Sequence, residues 1–197
     1  FNSAWTYRFP TFVLGDGYQA KMREPLTMYD PEERGIKLVN PEAILGNTTP
    51  GKNFKHLRNT YNTEDELYEV VMANQRDWEA MAPKVVEWDA KGCENAETII
   101  VCHGVVYRSA VEAWHELKSQ GSKVGYFRPI TLRPFPDKQL QEAIKGAKRL
   151  VVAESSYGQL LKLVKDAIYG STIEIVPLLR PGVGITTEDL VQFLNKL

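Results

Sequence analysis

No apolar run in this sequence approaches the roughly 20 residues needed to cross a bilayer, so no membrane-spanning helix is expected. Cysteine is scarce. The two present, Cys93 and Cys102, form no CxxC and have no third or fourth partner, which excludes a disulfide framework and a cysteine-ligated iron–sulfur cluster within these residues. A charge excess is missing too: 24 Lys and Arg stand against 25 Asp and Glu. Without a basic surplus to replace phosphate counterions, a nucleic-acid partner is not expected. His56, His103 and His115 are scattered, with no HxxxH spacing and no carboxylate cluster, so no metal centre is expected. Neither GxGxxG nor GxxxxGK(S/T) occurs, and Arg180-Pro181-Gly182-Val183-Gly184 reads as a loop entering the last helix. Ser155-Ser156 lacks the GxSxG elbow of a serine hydrolase. There is no basic-then-apolar leader, and a cytoplasmic location is the plain expectation.

What is there is ordinary for a globular chain: 43% hydrophobic and 25% charged residues over 197 positions, enough for one good-sized domain or one domain plus a partial one. Thr11-Phe12-Val13-Leu14 reads as a buried strand ending at the turn Gly15-Asp16-Gly17. A lone strand would expose both backbone edges, and no methionine precedes it, so the chain reads as the C-terminal part of something longer. Residues 29 to about 60 carry Pro31, Pro41, Gly46, Asn47, Thr48, Thr49, Pro50 and Gly51 with little periodicity, as a linker does. Thr63 with Glu66 then forms a capping box, and Leu67, Val70, Val71, Asn74 and Trp78 follow at helical spacing until about Met81-Ala82-Pro83.

From Thr98 the pattern alternates. Strands are expected at Thr98–Cys102, Val124–Phe127, Leu150–Ala153 and Ile173–Val176. Helices carry Val106, Ala110, Val111, Trp114 and Leu117, then Leu140 and Ile144, then Leu160, Leu161, Val164 and Ile168. The last begins at Thr186 or Thr187, with Asp189 able to close its cap. Continuous apolar strands between amphipathic helices predict an α/β fold: an open, mostly parallel sheet with helices on both faces.

In such folds ligands sit beyond the carboxyl ends of the strands. Those ends carry His103, Arg128 and Glu154, a candidate pocket for a small anion with an acid/base partner. On this reading the chain would be a stand-alone α/β small-anion-binding module. The plainer alternative pairs Arg128 with Glu154 at neighbouring strand ends and packs His103 under a loop. Phe127 to Pro136 is the other distinctive stretch, with three prolines (Pro129, Pro134 and Pro136), two arginines and two phenylalanines. Prolines at this density predict a rigidly extended connection.

Val124-Gly125-Tyr126-Phe127-Arg128-Pro129-Ile130-Thr131-Leu132-Arg133-Pro134-Phe135-Pro136 resembles the second domain of the α subunit of 2-oxoacid:ferredoxin oxidoreductases. So does Glu154-Ser155-Ser156-Tyr157-Gly158-Gln159-Leu160, while Val13 to Tyr18 and Met22-Arg23-Glu24-Pro25 are similar to the final strand and turn of that subunit's first domain. The resemblance implies that residues 1–28 are the tail of a thiamine pyrimidine-binding domain, 29–94 a linker and bridging helix packed on the following domain, and 95–197 a transketolase C-terminal-like domain II. It implies an enzyme of the 2-ketoisovalerate, 2-oxoglutarate or pyruvate type. Such an enzyme decarboxylates a 2-oxoacid on thiamine diphosphate, passes electrons through iron–sulfur clusters to ferredoxin, and forms an acyl-CoA. It places the diphosphate and magnesium on a β subunit and the clusters on β or a ferredoxin-like δ subunit, with a γ subunit in some members. This chain would then hold no catalytic, cofactor-binding or metal residue and would be inactive alone. Domain II would act in assembly, with Arg128, Pro129, Arg133 and Phe135 at an inter-subunit or interdomain contact, or bracing their own domain.

Overall fold

The computed structural model describes residues 1–39 and 59–197. The centre of the expected linker, Pro41 to Gly51, and His56 lie outside the described residues. In chain order the elements are α1 (Asn2–Tyr7), α2 (Gly17–Lys21), α3 (Glu64–Val85), β1 (Trp88–Lys91), β2 (Thr98–Cys102), α4 (Val106–Ser119), β3 (Val124–Pro129), α5 (Asp137–Ala143), β4 (Arg149–Glu154), α6 (Gln159–Ala167), β5 (Glu174–Leu179) and α7 (Thr187–Leu194). They fall into two compact units, Phe1–Leu14 with Arg23–Lys84, and Gly15–Met22 with Val85–Leu197.

In the first unit, α3 opens on the expected signal. Thr63 Oγ1 accepts from the Glu66 N–H at 3.3 Å, while the Glu66 carboxylate reaches one residue further out, to the Asn62 N–H. Glu64, Asp65 and Glu66 set negative charge against the positive end of the helix. The helix passes its expected stop and ends at Val85, with Pro83 inside its last turn. A proline so close to the end removes one hydrogen bond and leaves the turn otherwise intact. Phe9 packs edge-on against Trp78, with ring centroids 5.6 Å apart.

Thr11-Phe12-Val13-Leu14 is not the expected buried strand. The segment has no regular secondary structure, and Phe12, Val13 and Leu14 are 81%, 96% and 75% exposed. Three apolar residues after a threonine satisfy a strand's side-chain pattern but not its hydrogen bonds, and among the described residues no strand pairs with them.

The second unit is built on a five-stranded sheet in the order β1-β3-β2-β4-β5. All four expected strands are present and mutually parallel, with Ile100 beside Tyr126 and Val151, and Val151 beside Val176. Alternate residues feed two cores. Ile99, Val101, Phe127, Leu150 and Val152 pack with Leu140 of α5 and Leu160 and Val164 of α6. On the other face Ile100, Cys102, Tyr126 and Ala153 pack with Ala110, Trp114 and Leu117 of α4 and Leu190 of α7. Each large side chain buried this way contributes about 1.5–3 kcal/mol. Thr186 and Asp189 form the reciprocal cap of α7, and Asp189 also pairs with Arg180.

The sequence pattern did not announce β1, whose Trp-Asp-Ala-Lys has no apolar run. It forms an antiparallel edge, pairing Trp88 with Pro129 and Lys91 with Tyr126. The chain leaves it through Gly92 (φ 70°), where Trp114 Nε1 donates to the Val124 carbonyl at 2.9 Å beside the turn. The opposite edge, β5, contains Pro177. The segment from Ile130 to Pro136 is bent, not rigidly extended. Its backbone is anchored sideways, with the Ile130 and Thr131 N–H groups both donating to the Glu87 carbonyl.

At the amino end of the strands, Glu97 sits between Lys123 (3.0 Å) and Lys148 (2.6 Å). Hydrogen bonds first from Lys148, then from Lys123, hold its carboxyl down at about 2 against an ordinary value of 4.5. A depressed carboxylate stabilises the fold above its unfolded value and loses that contribution as pH falls from about 4.5 towards 2. Because the group is exposed, the effect on unfolding is expected to be small and to fade with salt. An NMR titration should place the Glu97 midpoint well below that of the other glutamates, and Lys148→Ala should move it upward. An unmoved midpoint would contradict the assignment.

Candidate functional site

The carboxyl ends of the parallel strands bring the three expected pocket residues to one edge of the sheet. β2 is central, so His103, which follows it, is flanked by Arg128 on β3 and by Glu154 at the end of β4. Arg128 and Glu154 are therefore not on neighbouring strands, and the ion pair offered as the plainer alternative does not form. Glu154 is 1% exposed. One carboxylate oxygen accepts from the Leu161 N–H at 2.9 Å, the other from the Leu160 N–H at 3.1 Å and from the Ser156 hydroxyl. It is an internal anion on the first turn of α6, where Gly158 (φ 91°) turns the chain over it.

Arg128 lies on the other face, its guanidinium 4.1 Å from the centre of the Tyr107 ring. Its Nε is buried with no hydrogen-bond partner, and so is the Ser155 hydroxyl. His103 is half-buried; burial lowers its pKa, Glu154 opposes that shift and Arg128 adds to it. The histidine thus senses both charged groups.

Asp89 was missed because β1 was missed. Its Oδ2 accepts from the Tyr107 hydroxyl at 2.6 Å and from Tyr126 at 3.1 Å. Tyr126 is fully buried, and burial raises its pKa far above the usual phenol value. This cluster ties the edge strand, β3 and α4 together.

The proposed contact residues divide. Pro129 is buried, Phe135 packs against the α5–α6 core, and Arg128 is half-buried, whereas Arg133 is exposed. Two of the four, Pro129 and Phe135, are thus turned into their own domain. Ile130 and Trp88 flank the segment at 45% and 44% exposure. A separate groove of about 530 Å³ runs along β1 and α5, lined by Trp88, Lys91, Cys93, Glu94, Lys138 and Lys145, and none of His103, Arg128 or Glu154 lines it.

The donor chemistry does not fit an iron–sulfur cluster. Cys93 and Cys102 are buried in different cores, and burial pushes their thiols up to about 11 and about 12, away from the thiolate a cluster needs. Among the described residues no three His, Cys, Asp or Glu side chains converge as metal ligands. No helix among them is long and apolar enough to cross a membrane.

Comparison with known proteins agrees with this geometry. Residues 96–189 match the family described as pyruvate:ferredoxin oxidoreductase core domain II. The chain is 31% identical over 179 residues to the ketoisovalerate oxidoreductase subunit VorB of Methanothermobacter marburgensis, a match covering 89% of this chain and 49% of the relative. It is 30% identical over 183 residues to the 2-oxoglutarate synthase subunit KorA of Methanocaldococcus jannaschii, covering 81% of this chain and 48% of the relative. The chain thus spans about half the length of the relatives it matches. The fold is also that of a solved 2-oxoglutarate:ferredoxin oxidoreductase from Magnetococcus marinus, with a TM-score of 0.64 at 21% identity over 75% of this chain and 27% of that one. Residues 96–189 therefore belong to the pyruvate:ferredoxin oxidoreductase core domain II family, in a chain related to the subunits of 2-oxoacid:ferredoxin oxidoreductases.

Proposed function

We propose that the chain is the C-terminal portion of the α subunit of a thiamine-diphosphate-dependent 2-oxoacid:ferredoxin oxidoreductase, which oxidatively decarboxylates a 2-oxoacid to an acyl-CoA. The domain II match over residues 96–189 carries this reading. On it, residues 1–28 are the tail of a thiamine pyrimidine-binding domain, 29–94 a linker and bridging helix, and 95–197 domain II. Exposed Phe12, Val13, Leu14, Leu26 and Met28 support the first of these, because so much apolar surface along one short segment marks a side that packs against something else. Domain II acts in assembly, with Arg133, Ile130 and Trp88 on its contact surface. Thiamine diphosphate, magnesium and the iron–sulfur clusters are held in the assembled enzyme by other parts: a β subunit and, where present, γ and ferredoxin-like δ subunits. Ferredoxin takes the electrons, the complex works in the cytoplasm, and the isolated chain is inactive.

Affinity purification of the protein from its own cells tests this. The expected result is a mass well above that of 197 residues, a co-purifying thiamine-binding subunit, bound iron and sulfide, and 2-oxoacid-dependent ferredoxin reduction by the complex alone. A lone protein of this length without thiamine or iron would overturn it.

A further inference from the structure

Three aromatic rings run in contact from α4 into the sheet. Trp114 meets Tyr126 edge-on with ring centroids 5.4 Å apart, and Tyr126 meets Tyr107 edge-on at 5.6 Å. Both spacings are those of directly packed rings. Tyr126 is fully buried and Trp114 nearly so, which leaves no water layer between them. Aromatic contacts of this kind are ordinary in a core, but the polar ends of these three side chains are not. Trp114 Nε1 donates to a backbone carbonyl, that of Val124. The two tyrosine hydroxyls instead share one carboxylate oxygen, Asp89 Oδ2, at 2.6 Å from Tyr107 and 3.1 Å from Tyr126, and stand 3.4 Å from each other.

The two acceptors differ in basicity, and that difference gives the cluster a direction. A carbonyl is too weak a base to take the indole proton, so an indole oxidised by one electron stays a radical cation, a stronger oxidant than the neutral radical. A phenol beside a carboxylate can lose an electron and hand over its proton in one motion. Burial keeps the Tyr126 phenol protonated well beyond its usual range, so its proton leaves with the electron and not before it.

We propose that Trp114, Tyr126, Tyr107 and Asp89 form a one-electron relay that draws an oxidising equivalent off Trp114 and settles it on the tyrosine pair. A radical oxidant of the carbonate or peroxyl class, arriving from solvent at α4, takes one electron from the indole and is reduced to its anion. Tyr126 restores the indole with one electron and passes its phenolic proton to Asp89 Oδ2, leaving a neutral tyrosyl radical and a neutral aspartic acid. Tyr107 exchanges with Tyr126 across the same oxygen: its electron and the proton held by Asp89 restore Tyr126, while its own proton enters Asp89. A thiolate reductant then supplies the electron, Asp89 returns the proton, and every residue is back in its starting state. The relay rests on this aromatic cluster and is independent of the subunit reading.

Lys118 is exposed, with its ammonium 4.9 Å from the centre of the Trp114 ring, and both native cysteines are buried. A ruthenium polypyridyl photo-oxidant attached to the Lys118→Cys variant of the complete protein therefore oxidises Trp114 first in a flash–quench experiment. Transient absorption should show the indole radical band decaying as a tyrosyl radical band grows at the same rate. In Tyr126→Phe the indole band should persist with no matching tyrosyl growth. Asp89→Asn should slow the exchange on the order of a hundred-fold, the contribution of a positioned base. Tyr169→Phe, at an exposed position, should leave the rate unchanged. Indole decay without tyrosyl growth in the labelled parent overturns the proposal. So does an Asp89→Asn rate equal to the parent's, a near-isosteric change that stays decisive if Tyr126→Phe fails to fold.

Discussion

Replacing Glu154 with alanine should destabilise the second unit by about 3–5 kcal/mol. The substitution strands the Leu160 and Leu161 N–H groups in a buried place, at about 1–3 kcal/mol each, and removes the negative charge from the first turn of α6. That helix supplies Leu160 and Val164 to one core, so its loosening spreads to Leu150 and Val152 on the strands beneath. Glu154→Gln keeps the shape and one acceptor oxygen but turns an NH2 group towards a donor, so roughly half the loss is expected. Urea unfolding followed by far-UV circular dichroism measures both. An alanine variant within about 1 kcal/mol of the parent would mean that water reaches those amides and that Glu154 is not the helix's internal anion.

The second large effect is expected at Gly125, the second residue of β3. A Cβ there would meet the carbonyl carbon and oxygen of Gly92 at 2.8 Å and the Cys93 nitrogen at 2.9 Å. These are backbone atoms, which cannot rotate away as a side-chain tip can. Gly125→Val raises intrinsic strand preference yet should cost about 3 kcal/mol, because the turn after β1 must lift off the sheet. Hydrogen exchange should show the loss first in β1 and around Trp114, whose indole is held against that turn. Gly184→Ala, with no atom within 4 Å of the added carbon, is the control and should stay within about 0.5 kcal/mol. Equal behaviour of the two variants would refute the close approach.

β2 and β4 were legible because each is a near-continuous apolar run, as a strand buried on both faces must be, while β3 and the edge strand β5 showed shorter apolar stretches. β1 was not legible. Its Asp89 and Lys91 carry no hydrophobic signal, and its place depends on two facing glycines thirty-odd positions apart that no local pattern connects. Phe12 to Leu14 misled for the opposite reason: apolar content was present, but pairing partners were not. At the strand ends, the order of the elements was enough to set His103, Arg128 and Glu154 at the carboxyl ends of β2, β3 and β4, but not to say that Arg128 and Glu154 lie on opposite faces. It could not say that the glutamate's oxygens were committed to α6, since that depends on where the next helix starts relative to the strand. Phe135 and Pro129 looked like an exposed surface because proline-rich stretches usually run outside; Pro129 is buried as the end of β3 beside β1, and after the bend Phe135 packs against the α5–α6 core.

The sheet's two borders bear on how this protein avoids joining itself. β1 is four residues long and alternates in charge through Asp89 and Lys91, and β5 has Pro177, which has no amide hydrogen to offer an incoming strand. Both rims are thus poor templates for another chain's backbone, and growth by strand addition is disfavoured at both ends. A partner can therefore join this domain through side chains, at its loops and helices, without continuing its sheet.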